Sequence, residues 1–262
     1  MDRHLRRLIA FPCAGDTLIG TLDEGDATTG LLIVSGGNEV RMGAHRGMAL
    51  LAARLAATGT PVFRYDRRGI GDSTGENHGF LESAPDIATA AATFAAETGI
   101  RRLVAFGNCD AATALALFHH VAGIDGLILA NPWVAGSGDD LPPAAAIRAR
   151  YAQRLRDPRT LVRLVSGGIN LRKLTSGLTK VIARKSEDDS ALTGRFIAAL
   201  NDSANPVTVV LASRDATALG FMDAIKPMKL NAMIQTIDTA SHSFARESDQ
   251  AALESIIRAA LA

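Results

Sequence analysis

The chain has 262 residues, 47% apolar and 21% charged, which is ordinary globular usage and excludes a disordered or fibrous polypeptide. Its 28 Lys and Arg against 27 Asp and Glu exclude a general nucleic-acid binder, and two cysteines, Cys13 and Cys109, make neither a disulfide framework nor a paired zinc site. With no apolar run near the roughly 20 residues of a membrane span, and no apolar stretch behind the basic N-terminus to make a secretory signal, a soluble cytoplasmic protein is expected.

In chain order, Ile9 to Leu22, broken at Pro12–Asp16, predicts two short strands joined by a turn. Leu31–Val34 is a fully apolar strand ending in Ser35-Gly36-Gly37-Asn38, and a Leu- and Ala-rich helix follows over Ala44–Thr58, closed by Gly59. The next strand, Pro61–Tyr65, runs into a turn-rich stretch, Asp66–Gly75, and helix returns over Leu81–Thr98. Leu103–Phe106, a tight Gly107-Asn108-Cys109-Asp110 turn and a helix over Ala111–Val121 form the third strand-to-helix unit, with another strand at Gly126–Ala130. Strands alternating with helices of this length predict a mostly parallel sheet covered on both faces.

The rhythm stops at Asn131-Pro132-Trp133. Residues 133–205 offer no clear strand and at least two helical stretches, and are expected to form a helical cap inserted into a core of 1–132 and 206–262. Strand Pro206–Ala212, helix Ala218–Met228, strand Met233–Ile237 and helix Glu247–Leu261 complete the chain.

The chemistry is expected at Gly107-Asn108-Cys109-Asp110-Ala111, because an apolar strand followed at once by a helix of small residues is the setting of a nucleophile elbow. Cys109 at a helix N-terminus meets the positive end of the helix dipole, which favours thiolate. Asp215 follows the strand Val207–Leu211 and His242 follows the last strand, so nucleophile, acid and histidine come in the chain order of an α/β-hydrolase. Simpler roles stand beside these: Cys109 as a buried apolar residue, Asp215 as a helix cap, His242 as a solvated loop residue. Gly71-Asp72-Ser73-Thr74-Gly75 matches Gly-x-Ser-x-Gly as text, but no strand leads directly into it, and Ser73 is expected to be non-catalytic. Oxyanion donors are expected from the N–H of Asp110 and from the Gly36-Gly37-Asn38 loop, Asn38 first and Gly37 next. No metal or organic cofactor is called for.

Asp66-Arg67-Arg68-Gly69-Ile70-Gly71-Asp72-Ser73, with the elbow, acid and histidine positions, resembles the α/β-hydrolases of the serine aminopeptidase and monoglyceride-lipase type. More narrowly, Val34-Ser35-Gly36-Gly37, Arg41-Met42-Gly43-Ala44-His45-Arg46 and the cysteine elbow resemble the hydrolase associated with exosortase A systems, which accompanies bacterial exopolysaccharide and protein-sorting genes. The resemblance implies an eight-stranded α/β-hydrolase fold and a hydrolase. Cysteine in place of serine turns attention to ester and thioester substrates. Gly36, Arg46 and Trp133 are expected to contact that substrate.

Between Arg148 and Lys185 lie eleven Lys or Arg and one acid, Asp157. Such a run is either a solvated helix face or a positive surface that attracts an anionic acyl substrate or an anionic membrane. Two other readings stay open: an acyltransferase using the same residues, and a non-catalytic α/β-hydrolase scaffold that binds a lipid or a partner protein.

Overall fold

The computed structural model describes residues 5–134 and 187–262. Strands β1 (Arg6–Cys13) and β2 (Asp16–Asp23) form an antiparallel hairpin. Its two turn residues, Ala14 and Gly15, both have positive φ, the backbone twist that matches paired strands. Strands β3 (Thr29–Val34), β4 (Val62–Tyr65), β5 (Arg102–Asn108), β6 (Gly126–Ala130), β7 (Val207–Ala212) and β8 (Met233–Ile237) complete one eight-stranded sheet of order β1-β2-β4-β3-β5-β6-β7-β8. Only the pairings β1–β2 and β2–β4 are antiparallel. The expected α/β fold with a mostly parallel eight-stranded sheet is what forms.

Alternation along the strands divides the core in two. Leu31 and Ile33 of β3 face one side and Leu32 and Val34 the other, as a period of two demands. On the first side lie helices α1 (Gly47–Ala56) and α6 (Glu247–Leu261), the latter burying Leu253, Ile257 and Leu261 at helical spacing. On the other lie α2 (Ala84–Thr98), α3 (Asp110–Phe118), α4 (Glu187–Asn201) and α5 (Ala216–Ile225).

The boundaries differ from expectation in two places with a physical cause. The helix expected from Ala44 begins at Gly47; Ala44–Arg46 is a 3-10 turn in which His45 (φ 53°) and Arg46 (φ 61°) are left-handed. No Ser, Thr, Asn or Asp stands there to cap a helix, and the preceding loop is drawn aside by Arg41, whose N–H and guanidinium bond to the fully buried Asp66. Second, α4 lies within the segment expected as cap, yet it packs on α3 and α5, burying Leu192, Phe196 and Leu200 at i, i+4 and i+8. Residues 135–186 of that expected insertion, including the basic run from Arg148 to Lys185, lie outside the described residues. Among the described residues no helix is long and apolar enough to cross a membrane.

Candidate active site

The parallel strands end at one edge of the sheet, and the expected residues gather there. Cys109 sits between β5 and α3 with φ 61° and ψ −127°, a conformation strained for a side chain with Cβ. Its N–H donates to Ala130 O (3.0 Å) and its carbonyl accepts from Trp133 N (3.1 Å), which pins the bend to the end of β6. Two glycines make room for the turn. A Cβ on Gly107 would lie 2.9 Å from Ala111 C and Leu115 Cδ1, and one on Gly36 would lie 2.6 Å from Asn108 O and Asp110 Oδ1.

His242 Nδ1 lies 2.9 Å from Asp215 Oδ2. The same oxygen accepts the Thr217 and Ala218 N–H groups at 3.1 Å each, so Asp215 caps α5 and holds the imidazole at once. With Nδ1 committed to Asp215, the other ring nitrogen is left for another partner, and Cys109 is near enough to raise the ring's pKa.

Charge follows from this geometry. Burial disfavours the imidazolium of His242, but hydrogen bonds to Asp215 and Cys109, with the charges of both, outweigh it and push the pKa up to about 10. Asp215 moves the other way: burial raises it, while the His242 hydrogen bond and charge, then the Ala218 and Thr217 N–H groups, hold it below the usual carboxylate range. The ordinary histidine value is about 6.5. The imidazolium therefore contributes its full stabilisation below about pH 6.5 and loses it as pH rises through about 10. Proton NMR of the His242 ring should show a midpoint near 10 in the wild type and a lower one in Cys109→Ala, which removes two of the raising causes. Midpoints near 6.5 in both proteins would contradict this electrostatic picture.

The loop after β3 approaches the elbow directly. Gly37 N–H donates to Asp110 Oδ1 at 2.6 Å, and Arg67, itself buried, donates through Nη2 to Gly37 O. The Gly37 N–H, expected as an alternative oxyanion donor, thus has a side-chain acceptor in this structure. In the same loop, the Asn38 side chain accepts from Asn77 Nδ2 (3.0 Å). Gly36 packs beneath Cys109, within 3.5 Å of its Cβ once given a Cβ of its own. Trp133 meets the elbow through its backbone, its carbonyl accepting from Thr113 Oγ1 at 2.5 Å. Arg46, exposed at the start of α1, makes no hydrogen bond to these groups among the described residues.

Sequence reading missed the side chains of Asp110, Arg67, Asn108 and Asn131. Asn108 ends β5 and Asn131 follows β6, and their partners lie too far away in the chain for a local pattern to announce them. Ser73 is buried and bridges two backbones, donating to Asp66 O (2.7 Å) and accepting from Ile19 N (2.9 Å). Ser73→Ala strands the Ile19 N–H and should cost about 1–3 kcal/mol in urea unfolding, with the activity of the folded protein unchanged. Among the described residues, no group of three or more His, Cys, Asp or Glu could hold a metal ion.

Comparison with known proteins gives a matching family model, described as serine aminopeptidase, S33, over residues 27–203. Among solved structures, an esterase from Pyrococcus furiosus superposes with a TM-score of 0.64 at 13% identity, covering 99% of this chain and 92% of that one. An α/β serine hydrolase homologue from Coxiella burnetii gives 0.61 at 12% identity, covering 98% and 97%. The thioesterase domain from the curacin biosynthetic pathway gives 0.57 at 15% identity, covering 97% and 99%. At these identities the likeness is one of fold. A search of curated proteins found no match.

Proposed function

The chain belongs to the serine aminopeptidase S33 family of hydrolases, and from that premise we propose that it hydrolyses ester or thioester bonds through a covalent acyl-cysteine. What supports the reading is the hydrogen bond from His242 to Asp215 near Cys109, which stands at a strained bend between strand and helix.

In the proposed cycle Cys109 Sγ attacks the substrate carbonyl carbon with its proton already held on the His242 nitrogen opposite Asp215, the imidazolium that the raised His242 pKa favours. The N–H groups of Asp110 and Asn38 hold the resulting oxyanion. Collapse breaks the bond to the leaving alcohol or thiol, which takes the proton from His242. Water then attacks the acyl-cysteine, His242 accepts its proton, and the Cys109 sulfur leaves beside the imidazolium so formed. Asp215 keeps the imidazole in the tautomer and orientation this needs. Since the intermediate is itself a thioester, a thioester substrate exchanges like for like, whereas an amide would have to climb steeply to reach it. Esters and thioesters are therefore the substrate class.

We add three finer parts to the proposal. The basic run of Arg148–Lys185 supports an anionic acyl substrate or an anionic membrane beside a cytoplasmic enzyme. The elbow and the Arg41–Arg46 stretch support a place alongside exosortase-linked exopolysaccharide systems. Residues 133–205 supply the cap, with Gly36, Arg46 and Trp133 on the substrate side.

Stopped-flow release of p-nitrophenol from p-nitrophenyl acetate tests the reading. A burst approaching one equivalent per protein, abolished in Cys109→Ala, is the expected result. Turnover that survives in Cys109→Ala would overturn it.

A further inference from the structure

At its ring His242 is anchored by Asp215 Oδ2, and that single anchor leaves an imidazole free to pivot about it. The backbone behind it is held by something else. The carbonyl of His242 accepts two amide donors, Asn131 Nδ2 at 3.0 Å and Asn108 Nδ2 at 3.1 Å. Asn108 ends β5 immediately before Cys109, and Asn131 follows the last residue of β6.

Asn131 makes more of its amide than that. Its Nδ2 also donates to Asn108 Oδ1 (3.2 Å), and its Oδ1 accepts from Ala212 N (2.8 Å) at the end of β7. The orientation of the amide is unambiguous, because a backbone N–H can only donate and a backbone carbonyl can only accept. Asn131 is fully buried, and its backbone sits at φ 40°, a left-handed region that asparagine tolerates better than other side-chain-bearing residues. Its neighbours complete the tie: Ala130 O takes the Cys109 N–H and Ala212 O takes the Asp215 N–H, both at 3.0 Å. One side chain therefore joins the segments that carry the sulfur, the carboxylate and the imidazole.

We propose that Asn131, assisted by Asn108, is a positioning residue that fixes His242 against Cys109 by clamping the His242 carbonyl. The proposal rests on the reading of Cys109 and His242 as a reacting pair. Its chemistry is specific, because the clamp needs donors at Nδ2 and the tie to β7 needs an acceptor at Oδ1. Asn131→Asp keeps the acceptor for Ala212 and replaces the donors by a carboxylate oxygen that repels the His242 carbonyl. Misplacing a reacting group by about 1 Å costs roughly 100-fold. Asn108→Ala removes one of the two donors and leaves the tie from Asn131 to Ala212 intact.

The test measures kcat and KM with p-nitrophenyl acetate, and the pH dependence of iodoacetamide alkylation at Cys109, in wild type, His242→Ala, Asn131→Asp and Asn108→Ala, well below each unfolding temperature. The expected result is a kcat about 100-fold lower in Asn131→Asp with KM little changed, and an alkylation profile moved toward that of His242→Ala. Asn108→Ala should move both readouts in the same direction by less, and it decides the matter should Asn131→Asp not fold. A folded Asn131→Asp, or an Asn108→Ala, with wild-type kcat and alkylation profile would overturn the clamp alone. Identical profiles in wild type and His242→Ala would overturn the pairing of Cys109 with His242, and the clamp with it.

Discussion

Cys109→Ala is expected to lower kcat/KM for p-nitrophenyl acetate by about 10⁴-fold or more, since removing the nucleophile of a triad leaves only oxyanion and binding contributions. The fold should not follow the activity down. Cys109 is only half-buried, and the hydrogen bonds that hold the bend, from its N–H to Ala130 O and from Trp133 N to its carbonyl, are backbone bonds that alanine keeps. Alanine also keeps a Cβ at φ 61°, so the strain of the bend is neither relieved nor increased. Loss of rate with unfolding stability held within about 1 kcal/mol is the combined outcome to look for in a urea titration. Activity retained in this variant would remove the sulfur from the reaction.

Asp215→Asn is expected to cost about 10²- to 10⁴-fold in kcat, the range of general acid–base catalysis, while leaving stability nearly untouched. Asparagine caps a helix as well as aspartate, so its oxygen can go on accepting the Thr217 and Ala218 N–H groups. That same oxygen faces His242 Nδ1 and can keep the ring's tautomer. What the amide loses is the negative charge that helps raise His242, and with it the driving force for proton uptake. Asp215→Ala serves as the control: it should lose the rate and also about 1 kcal/mol of stability through the missing cap. Equal stability losses in Asp215→Asn and Asp215→Ala would mean that the capping role had been misjudged.

How much could be read without coordinates depends on how local each signal is. Met233–Ile237 and Glu247–Leu261 carry an apolar pattern wholly within themselves, and both elements form with those bounds. The start of α1 is different: alanine and leucine continue the helical pattern back to Ala44, but what stops the helix at Gly47 is a loop drawn away by Arg41 and Asp66, twenty-five residues apart in the chain. The same distinction runs through the site. Cys109, Asp215 and His242 each stand just past the carboxyl end of a strand, a placement visible one residue at a time. Asn131 earns its interest only from partners on β5, β7 and the His242 loop, and no local pattern announces such a set. Asp110 enters the sequence reading only as an expected backbone donor. That its carboxylate would take the Gly37 N–H depends on how two loops meet in space.

The most direct test of the account is the location of the acyl group. Wild-type protein is mixed with p-nitrophenyl acetate or an acetyl thioester, quenched in acid during turnover, digested, and read by peptide mass spectrometry. The account predicts one acetyl group on the peptide bearing Cys109, lost as an acid-stable but hydroxylamine-labile thioester should be. An acetyl group on Ser73 or another hydroxyl, or steady turnover with Cys109 never acylated, would contradict it.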